Sequence, residues 1–419
     1  MSKNQNKVLL NEDWTVVVLG FIIIVITLSG LILPAPVFNW NTQTELFDKV
    51  LSAKNIQLLV LQLLLVLIVA LIGTWLTGKP IKTFILGFPV LYLLTIVALI
   101  LAGSPAVRSL NLEAVIISLA VGLLISNFFK VPEWLKSALS TELYVKIGLI
   151  LLGTSVIFGD ILKAGTLGLV QALVVVVSVW YFAYWISKKL KVDNEMTMML
   201  ASAVSICGVS AAIATSGAIK GDAKKLSYVI SLVLITAIPM MIGMPYLAQW
   251  MGLSQEVTGA WLGGTIDTTG AVVASGTLVG EAALKISTIV KFSQNVLLGL
   301  AAFAISIYWS YTKNNAAEGE QLKPSLGIIW ERFPKFVLGF IAASILFSFF
   351  ISADTIANVK GSLKNLQGLW FTLAFTSIGL ETKFSDLFKN ENRKPLYAFL
   401  IAQTFNIFIT LIIAWFLFK

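Results

Sequence analysis

The chain contains no histidine and a single cysteine, Cys207, and only 12% of its residues are charged. Each shortage excludes something. Without His, the usual zinc ligand and the commonest proton-transfer side chain are missing. One Cys in an apolar stretch allows neither a disulfide framework nor a thiolate metal cluster, so no cofactor or metal is expected. There are no paired acids on one helix face and no nucleophile–base pair, which argues against an enzyme. No phosphate-binding loop is present, so direct ATP drive is not expected. A soluble protein is nearer a quarter charged.

What fills the chain instead is apolar. Of 419 residues, 58% are hydrophobic, and the mean hydropathy is +0.89. Apolar runs long enough to cross a bilayer recur from end to end. The expected fold is an all-α polytopic membrane protein with about 11 transmembrane helices. They fall at about 14–34, 57–78, 81–103, 112–129, 143–160, 165–187, 225–247, 286–310, 335–351, 366–380 and 396–418. The first span is read as a helix that stays rather than as a cleaved signal. No loop is long enough for a soluble domain. The expectation is one transmembrane domain, with scaffold helices mainly in 14–103, a transport core mainly in 112–310 and C-terminal helices in 335–418.

The net charge of +9 is spread over short loops, so a bilayer rather than nucleic acid is the expected partner. Basic loops face the cytoplasm. This rule places "GKPIK" (78–82), "KKLK" (188–191), "ERFPK" (331–335) and "KNENRK" (389–394) inside, together with the N-terminus, Lys3 and Lys7, and leaves Lys419 outside.

Two stretches interrupt the helical pattern in similar words, "CGVSAAIATSGAIKGDA" (207–223) and "TTGAVVASGTLVGEA" (268–282). Both can be broken helices, re-entrant or fully crossing, over 195–219 and 257–284. The basic cluster "KGDAKK" (220–225, including Lys224) lies with the other basic loops if 195–219 dips in and returns. Broken helices inside a membrane need protein or a water-filled cavity to serve their free backbone groups. Transporters place them near the midplane and aim half-helix N-termini at an anion. Gly208, Gly263, Gly264 and Gly270 permit a break. Ser205, Ser210, Thr265, Thr268 and Thr269 offer hydroxyls. Small residues also let helices pack closely, and for "SAAIATSG" (210–217) both readings stand. The acid in "GGTIDTTG" (263–270) favours a functional break there. A second echo, between "GLILLGTSVIFGDILK" (148–163) and "TLAFTSIGLETKFSDLFK" (372–389), points to an inverted repeat.

Ionisable residues inside a membrane are costly and usually functional. Asp267 and Lys291 are the main candidates. They can pair with each other, or Lys291 can face an anion while Asp267 exchanges a proton or cation. Lys146 and Glu113 lie near helix starts, where snorkelling explains them. Gln403 and Asn406, one turn apart on the last helix, serve either a helix–helix contact or a substrate.

"LLGTSVIFGDILKAG", "SICGVSAAIA" with the following "KGDAKKLSYVI", and "GGTIDTTGAVVASG" with the following "STIVKFSQN" resemble the bacterial family described as sulfate exporters. That family is grouped with the bile-acid symporters and cation/proton antiporters. The resemblance covers most of the chain from about residue 110. It implies inverted repeats, discontinuous helices, an elevator-like cycle, a homodimer and the bacterial inner membrane. Where the family carries a His before the acid and Ala-Gln after it, this chain has Ile266 and then Thr269-Gly270.

The expected function is a secondary transporter, an exporter of a small anion such as sulfate, sulfite or a sulfonate. The expected substrate shell is Ser205, Cys207, Gly208, Ser210, Gly264, Thr265, Thr268, Thr269, Gly270, Lys291 and Asn295, with Asp267 carrying a coupling proton or Na+. The alternatives are a cation/proton antiporter using Asp267, a sodium-coupled organic-anion symporter, and a passive channel.

Overall fold

The structure is a computed structural model, and it describes residues 8–32, 34–109, 114–156, 158–219, 221–313, 330, 333–382 and 393–419. Lys3, Lys7, Glu113, Lys220 and the loop residues 331–332 and 389–392 lie outside the described residues, as do the side chains of Asp160 and Lys224. The described residues are helical with no strand among them.

Helices lie over all the expected apolar stretches, with ends set by local chemistry. Helix α1 (Glu12–Leu28) starts at Asn11, whose side chain accepts from Trp14 N–H, a standard N-cap. It stops at Ser29–Gly30, where Gly30 has φ +95°, short of the expected residue 34. Helix α2 (Ala53–Leu76) is capped by Ser52, and α3 (Ile81–Ala102) follows Pro80. Next come α4 (Ala114–Phe128), α5 (Thr141–Gly153) and α6 (Phe158–Lys189). The first interrupted stretch forms α7 (Asn194–Ser202) and α8 (Val209–Ile219), followed by α9 (Ala223–Trp250). The second forms α10 (Gln255–Thr265) and α11 (Thr269–Val279), followed by α12 (Glu281–Lys313). Then come α13 (Lys335–Ile345), α14 (Ala353–Glu381) and α15 (Lys394–Phe418). Among the described residues six helices are long and apolar enough to cross a membrane, and four shorter apolar helices accompany them.

The helices pack as two compact units. The first is Met1–Phe158 with Lys335–Lys383, and the second is Gly159–Pro334 with Phe384–Lys419. The units cut across the blocks expected from sequence order. In the first unit, α14 lies against α4 and α5. Gly122 and Gly379 face each other so closely that a Cβ on either would strike the other helix's backbone. Ser126 Oγ lies 2.8 Å from the carbonyl oxygens of both Gly379 and Thr382, its one hydrogen shared between them. Thr141 meets Glu381 and Gly148 meets Phe371, so α5 and α14 run antiparallel. Lys146 does not merely snorkel. It pairs with Asp13 at 3.0 Å, Glu12 at 3.4 Å and Glu142 at 3.5 Å.

The second unit is organised by two helical hairpins. In the first, α7 leads in and α8 leads back. Lys225 Nζ, just past the return, reaches Asp193 at 2.8 Å and Glu195 at 3.2 Å, on either side of the start of α7. In the second hairpin Gly259 abuts Ala283 and Gly263 abuts Ser287, so α10 runs parallel to α12. Gly276 abuts Leu284 while Asn295 bonds Thr269, so α11 runs antiparallel to α12. Gln255 lies against Gly280, which closes the mouth of this hairpin. The first hairpin ends where α9 begins and the second starts where α9 ends. With 28 residues, α9 is roughly 42 Å long at 1.5 Å per residue. The two hairpins therefore come in from opposite ends of α9.

Candidate functional site

The hairpin tips meet. A Cβ built on Gly208 would lie 3.1 Å from Asp267 Cβ and 2.6 Å from Val233 Cγ1 of α9. The two breaks are made differently. The first passes through a π-type turn, Ala203–Cys207, into Gly208 at φ +62° and ψ −110°. L side chains avoid that conformation, so glycine is required there. The second is extended at Ile266 and Thr268, and Thr268 Oγ caps α11 by accepting from Ala271 N–H. No glycine lies in this second break. Gly263 and Gly264 sit inside α10, where a Cβ would strike Ser287 and Gln171, so their role is close packing rather than breaking the helix.

Each first half-helix ends in carbonyls without intrahelical partners, buried away from water. Side chains from α6, α12 and α15 serve them. Lys291 Nζ donates to Ile206 O at 2.8 Å and to Gln294 Oε1 at 3.0 Å. Gln294 Nε2 donates to Gly264 O at 2.8 Å. Gln403 Nε2 donates to Thr265 O at 3.0 Å. Asn406 Nδ2 donates to Val204 O at 3.1 Å and Thr265 O at 3.2 Å, so one amide ties the two tips together. Thr410 Oγ donates to Asn406 Oδ1 and fixes its orientation. One turn before the break, Gln171 Nε2 bonds Ala260 O at 2.7 Å. Gln403 and Asn406 thus act on backbone carbonyls, the helix–helix alternative of the two open to them.

The residues predicted for the site divide into two groups. Ser205, Cys207, Gly208, Gly264, Thr265, Asp267, Gly270, Lys291 and Asn295 are buried at the crossing. Thr268 and Thr269 are half-buried and Ser210 is exposed, all in or beside the first turns of α8 and α11. The C-terminal ends of the first half-helices are sealed, while the N-terminal ends of the second halves are accessible. Asp267 and Lys291 approach to no ion pair within 4.0 Å among the described residues. Both are 1% exposed, and neither oxygen of Asp267 has a hydrogen-bond partner. Sequence reasoning missed Gln171 and Gln294. The spacing of Gln294, three residues after Lys291 on the same helix face, is the available signal.

Two broken hairpins meeting tip to tip, in an apolar chain whose described residues form no strand, define a polytopic membrane protein with a cluster of buried polar groups where the tips meet. A protein family described as "Conserved hypothetical protein 698" matches residues 86–398. The chain is 42% identical over 353 residues to a UPF0324 membrane protein of Rhodopirellula baltica, covering 82% of this chain and 64% of that relative. A UPF0324 membrane protein of Nitratidesulfovibrio vulgaris is 37% identical over 363 residues, covering 83% and 62%. One from Nitrosomonas europaea is 28% identical over 442 residues, covering 90% and 89%. The chain belongs to the UPF0324 membrane protein family. It spans just under two thirds of the length of the first two relatives. No solved structure matches it.

Proposed function

We propose that the protein is a secondary transporter of a small anion, of the class of sulfate, sulfite or a sulfonate, that exports it by an elevator-like alternating-access cycle. The observation that carries this reading is the meeting of the two tips at Gly208 and Asp267 with Lys291 buried beside them. Hairpins from opposite ends of α9, together with antiparallel α5 and α14, support an inverted repeat of re-entrant segments. The first turns of α8 and α11 present N–H groups that no intrahelical carbonyl takes, with Ala271 N–H already capped by Thr268 Oγ, and the positive ends of their dipoles. An anion held there would face the accessible Ser210, Thr268 and Thr269. Lys291 spends two of its three N–H donors on Ile206 and Gln294, which leaves one for the anion. The whole constellation lies within the second unit, which suits a cycle in which that unit carries its site across as one body. The bacterial inner membrane, a cytoplasmic N-terminus and a homodimer complete the proposal. They rest on the basic loops and on the sequence resemblance.

The test is binding of sulfate, sulfite and small sulfonates, read as thermal stabilisation of the purified protein and its Lys291→Gln variant. The expected loss on substitution is about 1.5–3 kcal/mol, roughly ten- to a hundredfold in Kd. Unchanged affinity in the double variant Asp267→Asn with Lys291→Gln removes Lys291 from the anion site. Failure of every anion to stabilise the native protein removes the anion reading itself. The cation-coupled alternative is favoured by one observation, the unpartnered carboxylate of Asp267.

A further inference from the structure

Three exposed lysines stand at the end of α6, Lys188, Lys189 and Lys191. The last of them holds a backbone conformation that suits glycine. Val192 N–H bonds Ser187 O and Lys191 N–H bonds Lys188 O, both at 3.0 Å, the pair of bonds that ends a helix through a left-handed residue. Lys191 takes that place at φ +58°, and it is the one non-glycine residue with positive φ among the described residues. Lysines near a helix C-terminus complement its dipole, which explains Lys188 and Lys189. It does not explain a lysine in the left-handed turn, and a backbone held against its preference points to a use for the side chain. None of the three has a carboxylate within 4.0 Å among the described residues. The acids close by in the chain are engaged elsewhere. Lys225 Nζ takes Asp193 at 2.8 Å and Glu195 at 3.2 Å, and Asp222 accepts from Lys225 N–H at 3.0 Å. Lys188 Nζ donates to Asn194 Oδ1 at 2.6 Å, which brings no opposite charge. Lys189 leans back over the ring of Trp185, its Nζ 5.0 Å from the centroid.

The face of α6 that leads to these lysines is graded. Val174, Val177, Tyr181, Trp185 and Lys188 follow at steps of three or four residues and so share one face. The first four are between 47% and 66% exposed. Trp180 and Tyr184 turn away from it, to Ser202 Oγ at 3.3 Å and the Tyr308 hydroxyl at 3.4 Å, and brace α6 against α7 and α12. From Val174 to Lys188 is roughly 21 Å at 1.5 Å per residue, about the depth of one leaflet with its headgroups. The order along the face is apolar, then aromatic, then basic. That is the order of acyl chain, interface and headgroup in a phospholipid leaflet. Three positive charges without acids match a headgroup with net negative charge. A zwitterionic headgroup brings its own cation and gains little from them.

We propose that the end of α6 binds an acidic phospholipid, with Lys188, Lys189 and Lys191 holding its headgroup and Tyr181 and Trp185 the region below it. The site stands apart from the crossing of the two tips, so it neither needs the transport reading nor supports it. Purified full-length protein in a neutral detergent would be titrated with phosphatidylglycerol and, separately, with phosphatidylcholine, reading melting temperature. Phosphatidylglycerol should stabilise at lower mole fraction than phosphatidylcholine. The triple variant Lys188→Gln, Lys189→Gln, Lys191→Gln should lose that preference. Lys191→Gly relaxes the left-handed turn, so without lipid it should melt no lower than the native protein. It should nevertheless need about fivefold more phosphatidylglycerol for half the effect. This variant decides the matter where the triple variant folds poorly. Equal stabilisation by the two lipids overturns the proposal, as does a phosphatidylglycerol response that Lys191→Gly keeps in full. Inorganic phosphate that gives the same lysine-dependent stabilisation in phosphatidylcholine makes this a free-anion site and overturns the lipid equally.

Discussion

The two hairpins begin alike and end differently. Each starts with a side-chain cap, Asp193 on Met196 N–H and Ser254 on Val257 N–H. Each has a mouth closed by contact between its two ends, and each tip is met by amides or an ammonium from α12 or α15. At the first tip the polar side chain is spent locally, since Ser205 Oγ donates to Ala201 O of its own helix at 2.7 Å. At the second tip Thr265 and Asp267 have nothing to bond. The first tip thus owes its form to backbone conformation, while the second holds buried polar side chains without partners. Similar sequence wording therefore does not mean equal roles. The buried side chain of the first tip is spent on its own helix, while those of the second tip are left without partners.

The largest expected effect breaks the first hairpin. Gly208→Ala forces a side chain into a left-handed conformation and against Val233 Cγ1 at 2.6 Å. Strain and overpacking together should cost about 2–5 kcal/mol. Melting temperature of the purified variant reads this directly, and loss of ligand stabilisation should accompany it. Native-like melting would show that the first tip repacks at little cost, and the claim that it owes its form to backbone conformation would fail.

Next in size is the tie between the two tips. Asn406→Leu keeps the approximate volume and removes the donor shared by Val204 O and Thr265 O. Thr265 O retains Gln403, but Val204 O loses its side-chain donor, a loss of about 1–3 kcal/mol. Gln403→Leu leaves Thr265 O with Asn406 and should cost less. Hydrogen exchange at both tips, compared between the two variants, checks the order. Asn406→Leu should open both hairpins, and Gln403→Leu the second alone.

Much of this architecture is legible in the sequence, for physical reasons. Apolar length places the helices, and the acid in "GGTIDTTG" with its apolar flanks marks the second tip. Helix ends are less legible. Helix α14 begins at Ala353 rather than near 366 because its first turns, "ADTIANVKGSLKN", are too polar to read as a span, and only the Ser352 cap signals the start. Helix α5 stops at Gly153, since apolar Val156 and Ile157 extend the hydropathy beyond the backbone's turn at Thr154–Ser155. Two glycines read as breakers prove to be packing residues because the partner surfaces, Ser287 and Gln171, are distant in sequence. Gln171 and Gln294, and the carbonyls that Gln403 and Asn406 serve, are hidden for the same reason. A Gln on an apolar helix shows that some partner exists and not which one.

The smallest expected effect is the sharpest test of the comparison. Ser205 and Thr265 both sit within three residues of a tip, both are 1% exposed, and both read in sequence as substrate hydroxyls. Their hydrogens have different obligations. The Ser205 hydroxyl is bonded back to Ala201 O, so a ligand would have to compete with a 2.7 Å bond inside the same helix. Such back-bonding is roughly neutral for helix stability. Removing it leaves a cavity no larger than one oxygen atom, so Ser205→Ala should change stability by less than about 0.5 kcal/mol. Ligand affinity should move by less than about twofold, since 1.4 kcal/mol corresponds to tenfold. Thr265→Ala removes a hydroxyl with no protein partner, so its effect should show in ligand affinity rather than in the melting temperature of the ligand-free protein. Paired titrations of the two alanine variants, with alkali chloride and with the anion panel, separate the hairpins. A tenfold loss in Ser205→Ala would show that the buried hydroxyl of the first tip also serves a ligand, and the contrast between the two tips' buried side chains would have to be given up.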